Sequence, residues 1–110
     1  MIKVKIFKNK IGKATGLHCA GHALYAEHGN DIVCAGVSAF VTNLVNSVES
    51  LTEDEFELEL HEEGGDLKLM LNKGSSGKSL LLLESCILGI ESIAAEYGDK
   101  YIQIITEEVK

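Results

Sequence analysis

The stretch Phe56-Glu57-Leu58-Glu59-Leu60-His61-Glu62-Glu63-Gly64-Gly65-Asp66-Leu67-Lys68-Leu69-Met70-Leu71 sets the class of the fold. Phe56, Leu58 and Leu60 alternate with Glu57, Glu59 and His61, and beyond Gly64-Gly65 the leucines Leu67, Leu69 and Leu71 resume the same period. A period of two sends alternate side chains to opposite faces of a strand, so this is a β-hairpin with one wet face. Hairpins pair their strands antiparallel, unlike single strands alternating with helices.

Upstream, Val33, Val37, Phe40, Val41, Leu44, Val48 and Leu51 recur at intervals of three and four. This predicts a five-turn helix from Ile32 with one buried stripe, opened by Asp31 as its N-cap and closed by the acidic turn Thr52 to Glu55. Gly21 to Asn30 shows no apolar periodicity and reads as a loop. Before it, Met1-Ile2-Lys3-Val4-Lys5-Ile6-Phe7 alternates, turns at Asn9 to Gly12, and continues as a second strand to about Cys19 or Ala20. Downstream of the central hairpin, Lys73 to Lys78 breaks the pattern. Leu80, Leu83, Ile87, Ile90, Ala94 and Tyr97 then form a second helix with Gly98 as its cap, and a last strand runs from Tyr101 to about Ile105 or Thr106. The order β-β-α-β-β-α-β predicts an α+β fold, a largely antiparallel sheet packed with two helices, as a single domain over residues 1–110.

Composition narrows the function classes. The 110 residues are 45% hydrophobic and 25% charged, with net charge −7 from 17 acids against ten basic residues. All ten are Lys, so the bidentate guanidinium contacts that read guanine or clamp phosphate are missing, and nucleic acid is not the expected partner. The longest apolar runs, Ile32 to Ala35 and Leu80 to Leu83, fall far short of the ~20 residues of a membrane span. The alternating N-terminus is a strand and not a signal peptide, so a cytoplasmic location without membrane attachment is expected. Lys3, Lys5, Lys8, Lys10 and Lys13 leave the following 97 residues with five lysines and 17 acids, a net −12 suited to a basic partner or to solubility.

Cys19, Cys34 and Cys86 are an odd number without a C-x-x-C pair, as expected of free thiols in a reducing compartment. With Asp31 as N-cap, Cys34 would lie in the first helical turn. There the unpaired N–H groups and the helix dipole favour a thiolate and can hold an oxyanion. Cys34 is thus a candidate nucleophile, with His22 twelve residues earlier as its base and His18 and His28 as alternatives. Plain packing is the competing account, since free cysteine is commonly buried. His18, Cys19, His22, His28 and Cys34 would suffice by count for zinc, but their spacing matches no standard finger, and neither a metal nor a cofactor is expected. Ser38, four residues after Cys34, shares its helical face and could bond a substrate or the Cys34 carbonyl. Cys19 and Cys86 read as packing residues. Gly74 to Ser79 ends Gly-Lys-Ser like a phosphate loop, but Asn72 stands where that motif needs its first glycine.

Gly21-His22-Ala23, Gly29, Asp31-Ile32-Val33-Cys34-Ala35 and Ser38-Ala39 together resemble the signature of the ribosomal-processing cysteine protease Prp family, and the likeness runs through Gly64-Gly65 to the last strand. The resemblance implies a thiol endopeptidase with a Cys34–His22 dyad. It would remove the short N-terminal extension of a basic large-subunit ribosomal protein, the twenty-seventh, cutting after a Phe-Phe segment. Phage scaffold or capsid proteins with a similar segment would be secondary substrates. Gly21, Gly29, Asp31 and Ser38 would be supporting or substrate-binding residues, with Asp31 able to orient His22, and the protein would be a homodimer. His28 departs from the family wording, which has an aromatic there. The reading from a different class is a non-catalytic ribosome-assembly or protein-binding module. The segment 23–30, short of apolar anchors, is expected to be mobile and to close on substrate.

Overall fold

The structure, a computed structural model, describes residues 1–21, 28–61, 66–98 and 100–109, and among these the side chains of all but residues 28–31. The described elements are β1 (Ile2–Lys8), β2 (Ala14–Ala20), α1 (His28–Leu51), β3 (Phe56–His61), β4 (Asp66–Leu71), α2 (Gly77–Tyr97) and β5 (Ile102–Glu108). The strands form one sheet in the order β3-β4-β2-β1-β5. All neighbours are antiparallel except β1 and β5, which run parallel with Ile2 opposite Ile102. The sheet is therefore mixed but mostly antiparallel, and α+β holds.

Alternation along the strands decides which face the helices cover. Ile2, Val4 and Ile6 of β1, Leu17 and Cys19 of β2, Leu69 and Leu71 of β4 and Ile102 of β5 are buried together with Val33, Val37, Val41, Leu44 and Val48 of α1 and Leu83, Ile87 and Ile90 of α2. Lys3, Lys5, His18, Lys68, Glu57 and Glu59 occupy the intervening positions and populate the other face. Phe7 is buried on that polar face beneath the Lys68 ammonium, 5.3 Å from its ring centroid. The β1–β2 turn is locked by the Asn9 side chain, whose Oδ1 accepts from the N–H groups of Ile11 at 3.1 Å and Lys13 at 3.0 Å.

The two helices approach closely because glycines stand at their contacts. A Cβ on Gly89 would run into the Phe40 ring, and one on Gly36 into Ile93. By length and composition Ile32–Leu51 could cross a membrane. Its buried residues, however, form one stripe over the sheet, the pattern of a core-covering helix.

Three expectations need correction. α1 starts at His28, so Asp31 is its fourth residue and not its N-cap. Apolar periodicity reports only the part of a helix that is buried, and His28-Gly29-Asn30 add helical backbone without an apolar side chain. Gly29 accordingly lies in the first turn of α1 and not in a loop, and residues 28–30 of the expected mobile segment are helical; its remainder, with His22, lies outside the described residues. Phe40, Leu51 and Tyr97, placed on the buried stripes by spacing, are 38%, 67% and 37% exposed. Gly98 does end α2, at φ +85° and ψ 171°, with its N–H on the Ala94 carbonyl at 2.8 Å.

Candidate active site

At the end of the sheet where β2 and β3 finish and β1 and β4 begin, a cavity of about 220 Å³ opens between the strands and α1. Its helical wall carries Cys34, Val37, Ser38 and Val41. Cys34 and Ser38 face it together because residues four apart share a helical face. The strand wall is apolar where Ile2, Cys19, Leu60 and Leu67 line it, and polar where His61 and Asp66 do.

The three thiols have unequal environments. Cys19 and Cys86 are buried, and desolvation pushes both up to about 12, with the neighbouring Cys86 adding to the shift of Cys19. A thiol held that high carries almost no thiolate at neutral pH and is a packing residue. Cys86 also sits against the Phe40 carbonyl, 3.6 Å from Sγ. Cys34 is half-buried and lines the cavity. The expected route to its activation does not hold, though: Cys34 is the seventh residue of a helix that starts at His28, beyond the four whose N–H groups are left unpaired and beyond the first turn, where the dipole acts most strongly.

Gly21 closes β2 at φ +80°, a conformation that L side chains rarely adopt, and a Cβ there would strike the Met1 carbonyl. This fixes the direction in which the chain leaves the strand, and makes glycine the residue required just before His22. His22 itself lies outside the described residues, as do the side chains of His28 and Asp31. His18 is on the sheet face away from α1, between Lys5 and Lys68 in register, so it is not placed as a partner of Cys34. His18 and Cys19 thus point to opposite faces, and among the described residues no three His, Cys, Asp or Glu converge as a metal site.

His61 and Asp66 were missed in the sequence. They face each other in the β3–β4 register on the sheet face that also carries His18, and the Asp66 carboxylate lies 4.0 Å from His61 Nδ1 and 3.9 Å from His18 Nε2. The signal was present in their positions flanking the Glu62-Glu63-Gly64-Gly65 turn, which pairs the last residue of one strand with the first of the next.

A half-exposed thiol at the mouth of an apolar cavity suits a hydrolase that forms a covalent intermediate on cysteine. A profile of the family described as Cysteine protease Prp matches residues 1–103. The ribosomal processing cysteine protease Prp of Bacillus subtilis is 36% identical over 103 residues, covering 90% of this chain and 92% of the relative. That of Staphylococcus aureus is 32% identical over 99 residues, covering 90% and 93%. A crystal structure of the essential ribosomal processing protease Prp from S. aureus in complex with a substrate peptide superposes with a TM-score of 0.90 at 30% identity, covering 97% of this chain and all of that one. A second, with a covalently linked product peptide, superposes at 0.86 with 31% identity and the same coverage. The chain belongs to the Prp family of cysteine proteases.

Proposed function

We propose that this protease removes the N-terminal extension of a large-subunit ribosomal protein, the twenty-seventh, cutting after a Phe-Phe segment, with Cys34 as nucleophile and His22 as general base. The observation that carries this reading is that Cys34 is half-buried at the apolar cavity, whereas Cys19, in the strand wall, and Cys86 are buried with their pKa values pushed up. The apolar walls suit aromatic side chains upstream of the scissile bond.

In this mechanism the Cys34 proton passes to the His22 imidazole, and the thiolate attacks the scissile carbonyl carbon. The tetrahedral adduct collapses with cleavage of the C–N bond, and the leaving nitrogen takes the proton from His22. Water then attacks the thioester, giving up a proton through His22. The extension leaves as a carboxylate and the thiol is restored. Ser38, one turn beyond Cys34 on the same wall, is within the cavity to bond the bound peptide. The relative that carries a covalently linked product peptide fits a cysteine nucleophile.

Two copies pair, in this proposal, through the outer side of α2, where Leu81 and Leu88 are 70% and 66% exposed. The decisive assay incubates the purified protein with a peptide containing Phe-Phe before Ala and with the full-length ribosomal precursor. Cleavage after Phe-Phe in both, lost in Cys34→Ala, is expected. Stable binding of the precursor without cleavage of either would return the protein to a non-catalytic assembly module.

A further inference from the structure

Two helices cover the five strands unevenly. On the face they pack against, Val4 of β1, Leu17 of β2, Leu69 of β4 and Ile102 of β5 are buried. Leu58 and Leu60 of β3, which stand on that same face opposite Leu69 and Leu67, are 37% and 57% exposed. Exposure therefore rises along β3, from the half-buried Phe56 to Leu60. β3 is also the outermost strand on its side, so one of its two hydrogen-bonding edges has no neighbouring strand. Among the described residues no other backbone bond reaches that edge between Phe56 and His61. The bare edge is continuous with the candidate active site, because Leu60 lines the cavity that Cys34 also lines.

We propose that the substrate segment upstream of the scissile bond adds to the free edge of β3 as a sixth strand, paired main chain to main chain, with its inward side chains resting on Leu58 and Leu60. The inference rests on the protease reading given above and deepens it by naming what grips the peptide outside the cavity. β3 reaches the cavity at its C-terminal end, so a chain whose scissile bond lies at Cys34 and whose upstream part follows the strand away from it runs parallel to β3. The strand is roughly 16 Å long, room for about five extended residues. Charge favours such a peptide over a second copy of this chain. Glu57 and Glu59 hold the alternate positions, exposed on the other face. Two β3 edges paired antiparallel about a two-fold axis would set acid against acid, which destabilises a strand pair. A ribosomal protein, rich in lysine and arginine to suit its RNA, meets the same acids with cations. If Glu57 and Glu59 served only to blunt the edge against aggregation, the backbone of a bound peptide would be immaterial.

The experiment uses a peptide with five residues upstream of Phe-Phe-Ala, N-methylated at one of the five at a time. Along a strand, successive N–H groups point alternately toward and away from the partner. For the wild-type enzyme, kcat/KM is expected to fall about 3- to 10-fold at every second position, chiefly through KM, and to hold at the positions between. Leu58→Lys, a change at an exposed side chain, should lower kcat/KM for the unmethylated peptide and flatten the alternation. Ile105→Lys, on the opposite edge strand β5 and 45% exposed, should leave both intact. A flat N-methyl profile in the wild type, or an alternation undiminished in Leu58→Lys, overturns the inference. So does a homodimer that sedimentation velocity finds in the wild type and not in Leu58→Lys, which would assign the edge to a second copy. Binding of the same peptides, fluorescently labelled, to Cys34→Ala separates this result from failure of the protease reading. If the wild type cleaves none of them, a period-two loss of affinity still supports the added strand, and a flat profile or absent binding refutes it.

Discussion

The two ends of the sheet solve opposite problems. At the cavity end, the Cys34 thiol and the Ser38 hydroxyl stand against apolar walls with room for a ligand beside them. At the other end, where β3 begins and β4 passes into α2, the polar groups are consumed by one another. The Asp54 carboxylate accepts from the Ser76 N–H at 3.1 Å and from the hydroxyls of Ser76 and Ser79, and the Ser79 hydroxyl also lies 3.2 Å from Thr52 Oγ1. The Thr52 hydroxyl donates to the Val48 carbonyl at 2.7 Å, tying the end of α1 into the same network. Ser76, the N-cap of α2, makes no capping bond through its own side chain; instead its N–H and hydroxyl are held by the Asp54 carboxylate, 22 residues earlier. Polar side chains that bond one another fix structure, and those that line a cavity stand where a substrate can reach them.

If this division is right, changes at the cavity end should remove activity without lowering Tm, and changes at the cap end should do the reverse. The largest effect is Cys34→Ala, with peptidase activity below detection and Tm unmoved, while Cys19→Ala keeps its turnover. His22→Ala should lower kcat by ~10² to 10⁴, the range for a positioned base. Between the two ends, Leu83→Ala removes a fully buried side chain. It should cost about 2–5 kcal/mol in urea unfolding, with kcat preserved under native conditions. Gly89→Ala pushes a methyl into the Phe40 ring and should cost about 1–3 kcal/mol. An activity loss in either helix variant larger than its fraction unfolded would mean that the helix pair and the cavity are coupled.

The smallest effect is read as a pH dependence. The side-chain hydrogen bonds of Ser76 and Ser79, with the Ser76 N–H, hold the Asp54 carboxyl below its ordinary value. A carboxyl lowered in the folded state adds stability above the unfolded Asp value of about 3.9, and that contribution is lost as pH falls through the lower folded value. Thermal melts of wild type and Asp54→Asn should therefore differ at neutral pH and converge in acid, with kcat/KM equal at neutral pH. Parallel Tm curves down to strongly acid pH would show that the network does not depend on the carboxylate charge.

Much of this was legible in the sequence. Period-two runs placed β1, β3 and β4, turn residues led on to β2 and β5, and the Val33, Val37, Val41, Leu44 and Val48 stripe marked the buried face of α1. What escaped was non-local. Nothing local to Tyr101–Thr106 shows that the last strand would pair parallel with the first, because that depends on where α2 delivers the chain. The start of α1 escaped because no apolar side chain marks its first turn, and with it went the first-turn argument for Cys34. The motif resemblance points to Cys34 independently of that argument. His61 and Asp66 meet only through the hairpin register, which no local motif announces.

The parallel pairing of β1 with β5 also bears on the order in which the fold can be assembled. β1 is made first but lies between β2 and β5, so one of its two hydrogen-bonding edges waits for a partner synthesised about a hundred residues later. Ile2, which lines the cavity and pairs with Ile102, is seated from both sides only once β5 is in place. A chain that has not yet added β5 leaves β1, and with it one wall of the cavity, paired on one side only, so the cavity is completed by the contact between elements farthest apart in sequence.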